Sequence, residues 1–441
     1  MSTVPQLADV MQRVLNDYAE DAARWTGFVQ RGSKLGGAAF VQSLVFGWLG
    51  NPQSSLSGLT QTAAAAGVEI SNQGLDQRFN ERAALFMEEM LSAIVSEVVA
   101  SDPVAIPLFE RLGAIVLQDS SAIVLPNALS KDWRGLGGTS GQGQAALKIQ
   151  VRYDLSTGKL LGPLLDDGRS QDKGADIQSE PLPAGALRIA DLGYFSLDVL
   201  KAIENNGGFY LSRLQVQTVL FDQNGKELDL LALLRKSGPV GVDMPILLGK
   251  KHRLKSRLIA VPVPPEVAQQ RRERLCREAA KRRQKVSQRA LALAEWTILL
   301  TEVTADRLSV EEALVLMRAR WQIELLFKLW KQQGQVDESR SKNPWRILCE
   351  TYAKLIAMVI QHWLILVSIW HYPDRSLGKA AQTIRDFAKT LVSALAGAFD
   401  LVAVIEQIRR CLCRGCRMNR RKANPNTYQL LLAPHSLQYA A

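Results

Sequence analysis

Apolar residues recur at helical spacing through residues 1–105, which predicts a helical N-terminal region. Within it, residues 59–80 fit a helix-turn-helix: an Ala-rich helix, a turn at Gly67, and a second helix starting near Ser71 or Asn72. Gln73, Gln77 and Arg78 would then reach base edges or phosphates. A plain helical hairpin fits the same pattern.

The pattern then shortens. Residues 114–117 are a continuous apolar run that reads as a buried strand, with Asp119 just past it. After a Gly-rich loop at 135–143, residues 147–153 and 160–165 read as two antiparallel strands, turned by Ser156, Thr157 and Gly158. A short strand ends at Asp191, a helix follows and closes at Gly207, and residues 209–214 form another strand with Arg213 near its end. This order suits an α/β sheet with acids beyond the strand ends, where ligands collect in open sheets.

From 215 to about 294 the pattern changes again and reads as an insertion. It holds a hairpin around Asn224 and Gly225, a basic stretch, a strand ending over 261–265, and a cationic helix from about Glu266. Residues 296–303 are a strong β run. A helix then begins near Ser309, which with Glu312 makes a capping box, and further helices and a basic tail follow. The expected division is 1–105, 106–214, 215–294, 295–370 and 371–441.

Composition sharpens this picture. With 441 residues and 47% hydrophobic content the chain is globular, and it is long enough for two to four domains. The apolar stretch at 355–370 is interrupted by Gln361 and His362 and reads as a buried helix, so no membrane partner is expected. Five cysteines do not make a disulfide framework, and no secretory signal is visible, so a reduced cytoplasmic setting is expected. The net charge of +11 is uneven: residues 250–289 hold 14 Lys/Arg against three acids, and 409–422 add seven cations and no acid. Two concentrated basic segments on a folded chain point to a polyanion, nucleic acid first.

The chemistry centres on the helix running through Arg320 to Lys331. Ile323, Leu326, Phe327 and Trp330 share a core-facing arc. Arg320, Glu324, Lys328 and Lys331 share the adjoining one. Alone, that ridge reads as a surface helix with i,i+4 ion pairs. With Asp119 and Asp191 upstream, it reads as a metal-binding carboxylate among phosphate-binding cations. Carboxylate oxygens suit Mg²⁺ or Mn²⁺. The four histidines, 252, 362, 371 and 435, are scattered, and Ser120 and Ser121 sit in no nucleophile elbow. Cys411, Cys413 and Cys416 could take zinc with His435, or stand as free thiols.

In this order the residues resemble the DDE transposases of bacterial insertion sequences, specifically the insertion-sequence-4 group. The resemblance is carried by Asp119-Ser120-Ser121, by Asp191 with Gly193 and Tyr194, by Arg213, by Trp296 to Thr301, and by Arg320, Glu324 and Lys331. These last three have the spacing of the group's Tyr-Arg-Glu-Lys signature, with Met317 in the Tyr position. The resemblance covers residues 110–370. It implies an RNase H-like catalytic core interrupted by a β-rich insertion, with helical regions at both ends. It implies that Asp119, Asp191 and Glu324 hold two Mg²⁺ or Mn²⁺ ions. Arg320, Lys331 and Arg213 would grip phosphates, with Lys328 and Arg78 as further DNA contacts. Trp296 would stack on a base flipped from the cut end, or be a core Trp. The implied activity is cut-and-paste transposition on double-stranded DNA, both transposon ends and target, by a homodimer associated with the bacterial nucleoid. A non-catalytic DNA-binding regulator and a nuclease of the same fold that never joins strands remain rival readings.

Overall fold

The computed structural model describes residues 2–32, 34–137, 143–281, 283–372, 374–418 and 426–436. The tip of the Gly-rich loop, Arg282 of the basic stretch and residues 419–425 of the basic tail lie outside the described residues. The fold is α/β, as expected, with nine strands among the described residues: β1 Ala114–Leu125, β2 Ala145–Asp154, β3 Leu160–Asp167, β4 Ala186–Ala190, β5 Phe209–Arg213, β6 Leu220–Phe221, β7 Val242–Leu248, β8 Leu254–Pro262 and β9 Trp296–Thr301. Their order is β3-β2-β1-β4-β5-β9-β8-β7-β6. The chain forms two compact units, and β1 contributes residues to both.

One unit comprises Met1–Val104, Asp119–Ser170 and Gln322–Arg420. Its centre is the Pro344–Leu366 helix, in which every residue from Leu348 onward is buried. A helix apolar nearly all round must be enclosed by others. Here the Gly37–Gly50 and Glu81–Ser96 helices pack on it, carrying Phe40, Trp48, Phe86 and Met90 into the core. No helix among the described residues is long and apolar enough to cross a membrane. The same helix packs against the β2–β3 turn, with His362 Nε2 2.7 Å from the Gly158 carbonyl, and just past the helix end Trp370 Nε1–H donates to the Ser156 carbonyl at 3.3 Å. Only glycine fits at 158. Its φ is +71°, and a Cβ there would lie 2.2 Å from Leu366 Cδ2. The Asp154 carboxylate closes the turn by accepting from the Ser156 N–H at 2.9 Å.

The N-terminal region has the two expected helices, Leu56–Ala65 and Asn72–Asp76, with Gly67 at φ +80° and Ser71 capping the second. The second is five residues long, and Arg78 lies beyond its end. The Arg78 guanidinium donates to the Leu35 carbonyl at 2.9 Å and sits over the Phe28 ring. It therefore works inside this unit, and burial holds its pKa below the usual arginine value. Gln73 and Gln77 are exposed.

The other unit comprises Ala105–Gln118, Gln171–Trp321 and Arg421–Ala441. Residues 114–118 of β1 pair in parallel with β4, and β4 with β5. The sheet then continues antiparallel through β9, β8, β7 and β6. Leu220, Leu230, Leu234, Ile246, Leu258 and Leu300 form much of its core. Two expectations change here. The hairpin at Asn224 and Gly225 survives only as the two-residue β6 and a bridge from Phe221 to Glu227. Beyond it, Leu230–Ser237 is a helix, because Asp229 caps it and Leu230 and Leu234, one turn apart, both reach the core. Strand β8 is locked by Arg257, which grips the Asp243 carboxylate at 2.6 and 2.7 Å and donates to the Leu308 carbonyl at 2.7 Å.

Beside this sheet an acid is half-buried. The Glu302 Oε1 accepts from the Tyr210 N–H at 2.9 Å, and burial pushes the Glu302 carboxyl up to about 9. From about pH 4.5 to 9, the folded chain therefore keeps a proton that the unfolded chain has released. Stability from this group should be fully present below that window and fall by roughly 1.4 kcal/mol per pH unit across it. Glu302→Gln should flatten the slope and be the more stable protein at pH 8. Denaturant midpoints between pH 5 and 8.5 measure this; parallel slopes for the two proteins would show that Glu302 ionises normally.

Candidate active site

The last pair of the parallel β1–β4 ladder is Gln118 with Ala190, and an aspartate follows each: Asp119 and Asp191. Asp119 is not past the end of its strand, as the apolar run suggested, but within it. The strand is buried up to Gln118, then alternates, with Ile123 and Leu125 buried and Ala122 and Val124 exposed. The change of period marks where β1 leaves the two-sided core. Asp119 is half-buried, and its Oδ1 accepts from the Ser120 N–H at 2.8 Å. Asp191 is exposed at the end of β4, where a short 3₁₀ turn, Leu192–Tyr194, leads the chain away. A small cleft there is lined by Arg188, Asp191, Tyr194, Tyr210 and Ser212.

Glu324 is carried by the Trp321–Gln332 helix. The expected single helix from Ser309 is two: Val310–Ala319, with the Ser309–Glu312 capping box in place, and Trp321–Gln332, with Arg320 at the break. Ile323, Leu326, Phe327 and Trp330 are its buried residues, as the wheel predicts, which leaves Glu324 half-buried and Lys328 exposed. Met317 is only 7% exposed and serves the core. Lys331 ties this helix to β1: its Nζ donates to the Ala122 carbonyl at 2.9 Å and lies 3.8 Å from Asp337. Within one unit, the Glu324 helix is thus fastened to the strand of Asp119, three residues beyond that acid.

Periodicity does not single out Trp321, yet it is 54% exposed, with Leu325 exposed one turn on. The signal is available in the sequence: both fall outside the buried stripe. A large aromatic left in solvent beside a charged ridge suggests a contact surface.

Arg213 ends β5 and is exposed. Trp296 opens β9 half-buried, packed against the core of its unit, with its carbonyl accepting from Arg271 Nη1 at 3.0 Å. Asp119 and Glu324 belong to one unit, and Asp191 to the other. No three His, Cys, Asp or Glu side chains are gathered closely enough to hold a metal among the described residues. That applies to the cysteine cluster too: Cys413 Sγ instead faces the Ser368 carbonyl at 3.4 Å, Cys416 is buried and Cys411 exposed. The donor set of Asp119, Asp191 and Glu324 is all carboxylate, which suits a hard divalent cation and not zinc.

Residues 111–360 match the family model described as the transposase DDE domain. The chain is 25% identical to the transposase for insertion sequence element IS231F of Bacillus thuringiensis subsp. israelensis, over 81% of its own length and 79% of that protein's. It is 25% identical to the transposase for insertion sequence element IS1151 of Clostridium perfringens, over 68% and 67% of the two chains. It is 28% identical to the putative transposase InsL for insertion sequence element IS186A of Escherichia coli K12, over 59% and 68%. The matched segment contains Asp119, Asp191 and the Glu324 helix, and the chain belongs to the DDE transposase family, with the RNase H-like core which that family implies.

Proposed function

We propose that the protein moves an insertion sequence, cutting the element's DNA ends and joining them to target DNA. The observation that carries this reading is the placement of the acids. Two aspartates follow the last pair of one parallel ladder, and Glu324 lies on a helix fastened to one of those two strands through Lys331 and Ala122. The family generally uses divalent metal ions; two Mg²⁺ or Mn²⁺ ions held by Asp119, Asp191 and Glu324 are our assignment. Such ions, when bound, activate an attacking oxygen and stabilise the leaving one.

The chain's own cations set the substrate. Arg320 and Lys331 flank Glu324 along its ridge and neutralise non-bridging phosphate oxygens, with Lys328 exposed on the same helix and Arg213 at the end of β5. Water attacks the phosphodiester at the element's end, and the P–O3′ bond breaks to free a 3′-hydroxyl. That hydroxyl attacks a target phosphodiester, forming one P–O bond as another breaks. Working at two ends makes a homodimer the natural assembly on DNA. Arg78 carries no part of this reading, because its guanidinium serves the Leu35 carbonyl.

The test uses the purified full chain with DNA carrying the inverted repeats that flank its gene. Cut ends joined to a second DNA are expected. Cut ends never joined would mean a nuclease, and a complex with no cut a regulator.

Trp296→Ala should separate two roles of the indole. Stacking on a flipped base is worth roughly 1–3 kcal/mol. The variant should therefore bind and nick normally and slow at the steps that follow, by about tenfold or more. A fully buried Trp would instead cost about 3–5 kcal/mol of stability on truncation and damage every activity together. Thermal unfolding, measured beside nicking and joining rates, decides between them.

A further inference from the structure

Strand β9 opens where one of its neighbours runs out. Backbone carbonyls of a strand face its two edges in turn. On the β8 edge, the Glu295 carbonyl just before the strand accepts from the Val263 N–H at 2.9 Å. On the β5 edge, the Ile298 carbonyl accepts from the Leu214 N–H at 3.2 Å, one residue past the end of β5. Two residues back along that edge, the Trp296 carbonyl lies beyond β5, and a helix supplies its donor: Arg271 Nη1, at 3.0 Å. Arg271 Nη2 also donates to Thr297 Oγ1 at 3.0 Å. One half-buried guanidinium on the Pro265–Lys281 helix therefore holds the backbone of Trp296 and the side chain after it. The next residue, Arg272, holds the turn before the strand instead: its Nε donates to the Leu291 carbonyl at 3.3 Å, and its Nη2 meets the Glu295 carboxylate.

What the Arg271 grip controls is the indole. Trp296 and Ile298 lie on one face of β9, and both pack on the core of their unit. Trp296 is half-buried, so part of its ring is left for a ligand. The ring's direction follows the backbone of residue 296, and that backbone is paired by a strand on one edge only. A planar guanidinium making two bonds fixes direction as well as distance, which a lysine ammonium does not.

We propose that Arg271 is a positioning residue for Trp296, holding the first two residues of β9 so that the indole is aimed at the base flipped from the cut end. This rests on the reading of Trp296 as a stacking residue. It adds a residue that the run of cations along its helix does not distinguish in sequence, and it gives that residue work on the protein's own backbone.

The experiment uses the full chain and end-bearing DNA. Binding, nicking, the later steps and thermal unfolding are measured for wild type, Trp296→Ala, Arg271→Gln, Arg271→Lys, Arg277→Gln and the double variant of Arg271→Gln with Trp296→Ala. Arg271→Gln should bind and nick as wild type does and slow the steps after nicking by about three- to tenfold. Arg271→Lys, which can still donate to one of the two acceptors, should recover part of this. Arg277→Gln removes an exposed cation from the same helix and should leave the later steps unchanged. The double variant should run within about twofold of Trp296→Ala alone, because the grip acts through the ring, whereas independent losses would multiply. Multiplied losses would overturn the proposal and make Arg271 a separate contact. Later steps at the wild-type rate in Arg271→Gln would overturn it too. If Arg271→Gln unfolds, Thr297→Val takes its place in the cycle, removing one of the two bonds while keeping a strand-favouring side chain. The same coupling is then expected, and its absence overturns the proposal. If Trp296→Ala stalls after nicking and Arg271→Gln does not, the positioning role alone fails. If Trp296→Ala itself completes the later steps normally, the stacking reading fails and the positioning role falls with it.

Discussion

Asp119→Ala, Asp191→Ala and Glu324→Ala are each expected to lower metal-dependent cleavage by more than about a thousandfold, because losing metal-held charge stabilisation at a phosphodiester costs several kcal/mol in the transition state. Binding of end-bearing DNA should stay within a few-fold of wild type. The grip is cationic, and removing a carboxylate from beside a phosphate lowers repulsion. Asp191 is exposed, Asp119 and Glu324 are half-buried, and none belongs to either core, so the variants should fold. Nicking rates and gel-shift affinities measured on the same DNA check this. Cleavage near the wild-type rate after any one replacement would remove that acid from the site.

The second large effect is structural. Lys354 is 2% exposed and forms an ion pair with Glu350 at 2.7 Å, one turn back on the central helix. Its Nζ also donates to the Gln335 and Glu338 carbonyls at 2.9 and 2.7 Å, and the Ser339 hydroxyl donates to Glu350 at 2.6 Å. One buried ammonium therefore anchors the turn into which the Glu324 helix runs. Lys354→Ala leaves a buried carboxylate without its counter-ion and two carbonyls without the ammonium, and should cost about 3–5 kcal/mol. The double variant Lys354→Met with Glu350→Gln should regain part of that. Denaturant unfolding of the two proteins compares them. A single variant as stable as wild type would mean that water reaches the pair.

Several elements were legible from the chain alone. The buried stripe of the Glu324 helix, the capping box at Ser309, the β9 run and the strand ending before Asp191 all follow from local periodicity and local chemistry. What escaped depends on partners distant in sequence. Residues 230–237 are apolar enough for either period, and only the Asp229 cap and the spacing of Leu230 and Leu234 on the core select a helix. Strand β7 follows Gly238, Pro239 and Gly241 and contains Pro245, which breaks the usual strand signal; its register with β8 supplies what its composition does not. Arg78 and Arg271 both look like DNA cations in sequence. One is consumed by a carbonyl and a ring within its own unit, and the other donates to the Trp296 carbonyl and the Thr297 hydroxyl. Register, too, is invisible in sequence: nothing in the chain alone says that Gln118 and Ala190 are partners, or that an aspartate follows each.

The contact between Lys331 and Ala122 bears on the kinetics of DNA capture. A free lysine side chain samples many rotamers, and ordering one takes up to about 2 kcal/mol. Lys331 is already extended across to β1 by a single 2.9 Å bond to a carbonyl. Most of its ordering is therefore completed when the chain folds, not when a phosphate arrives, and the ammonium still has donors left over. With Lys331 gripping a phosphate as proposed, an encounter with DNA meets a cation already aimed, so a change at Ala122 that shifted this carbonyl should act chiefly on association speed, with the charge count of the surface untouched.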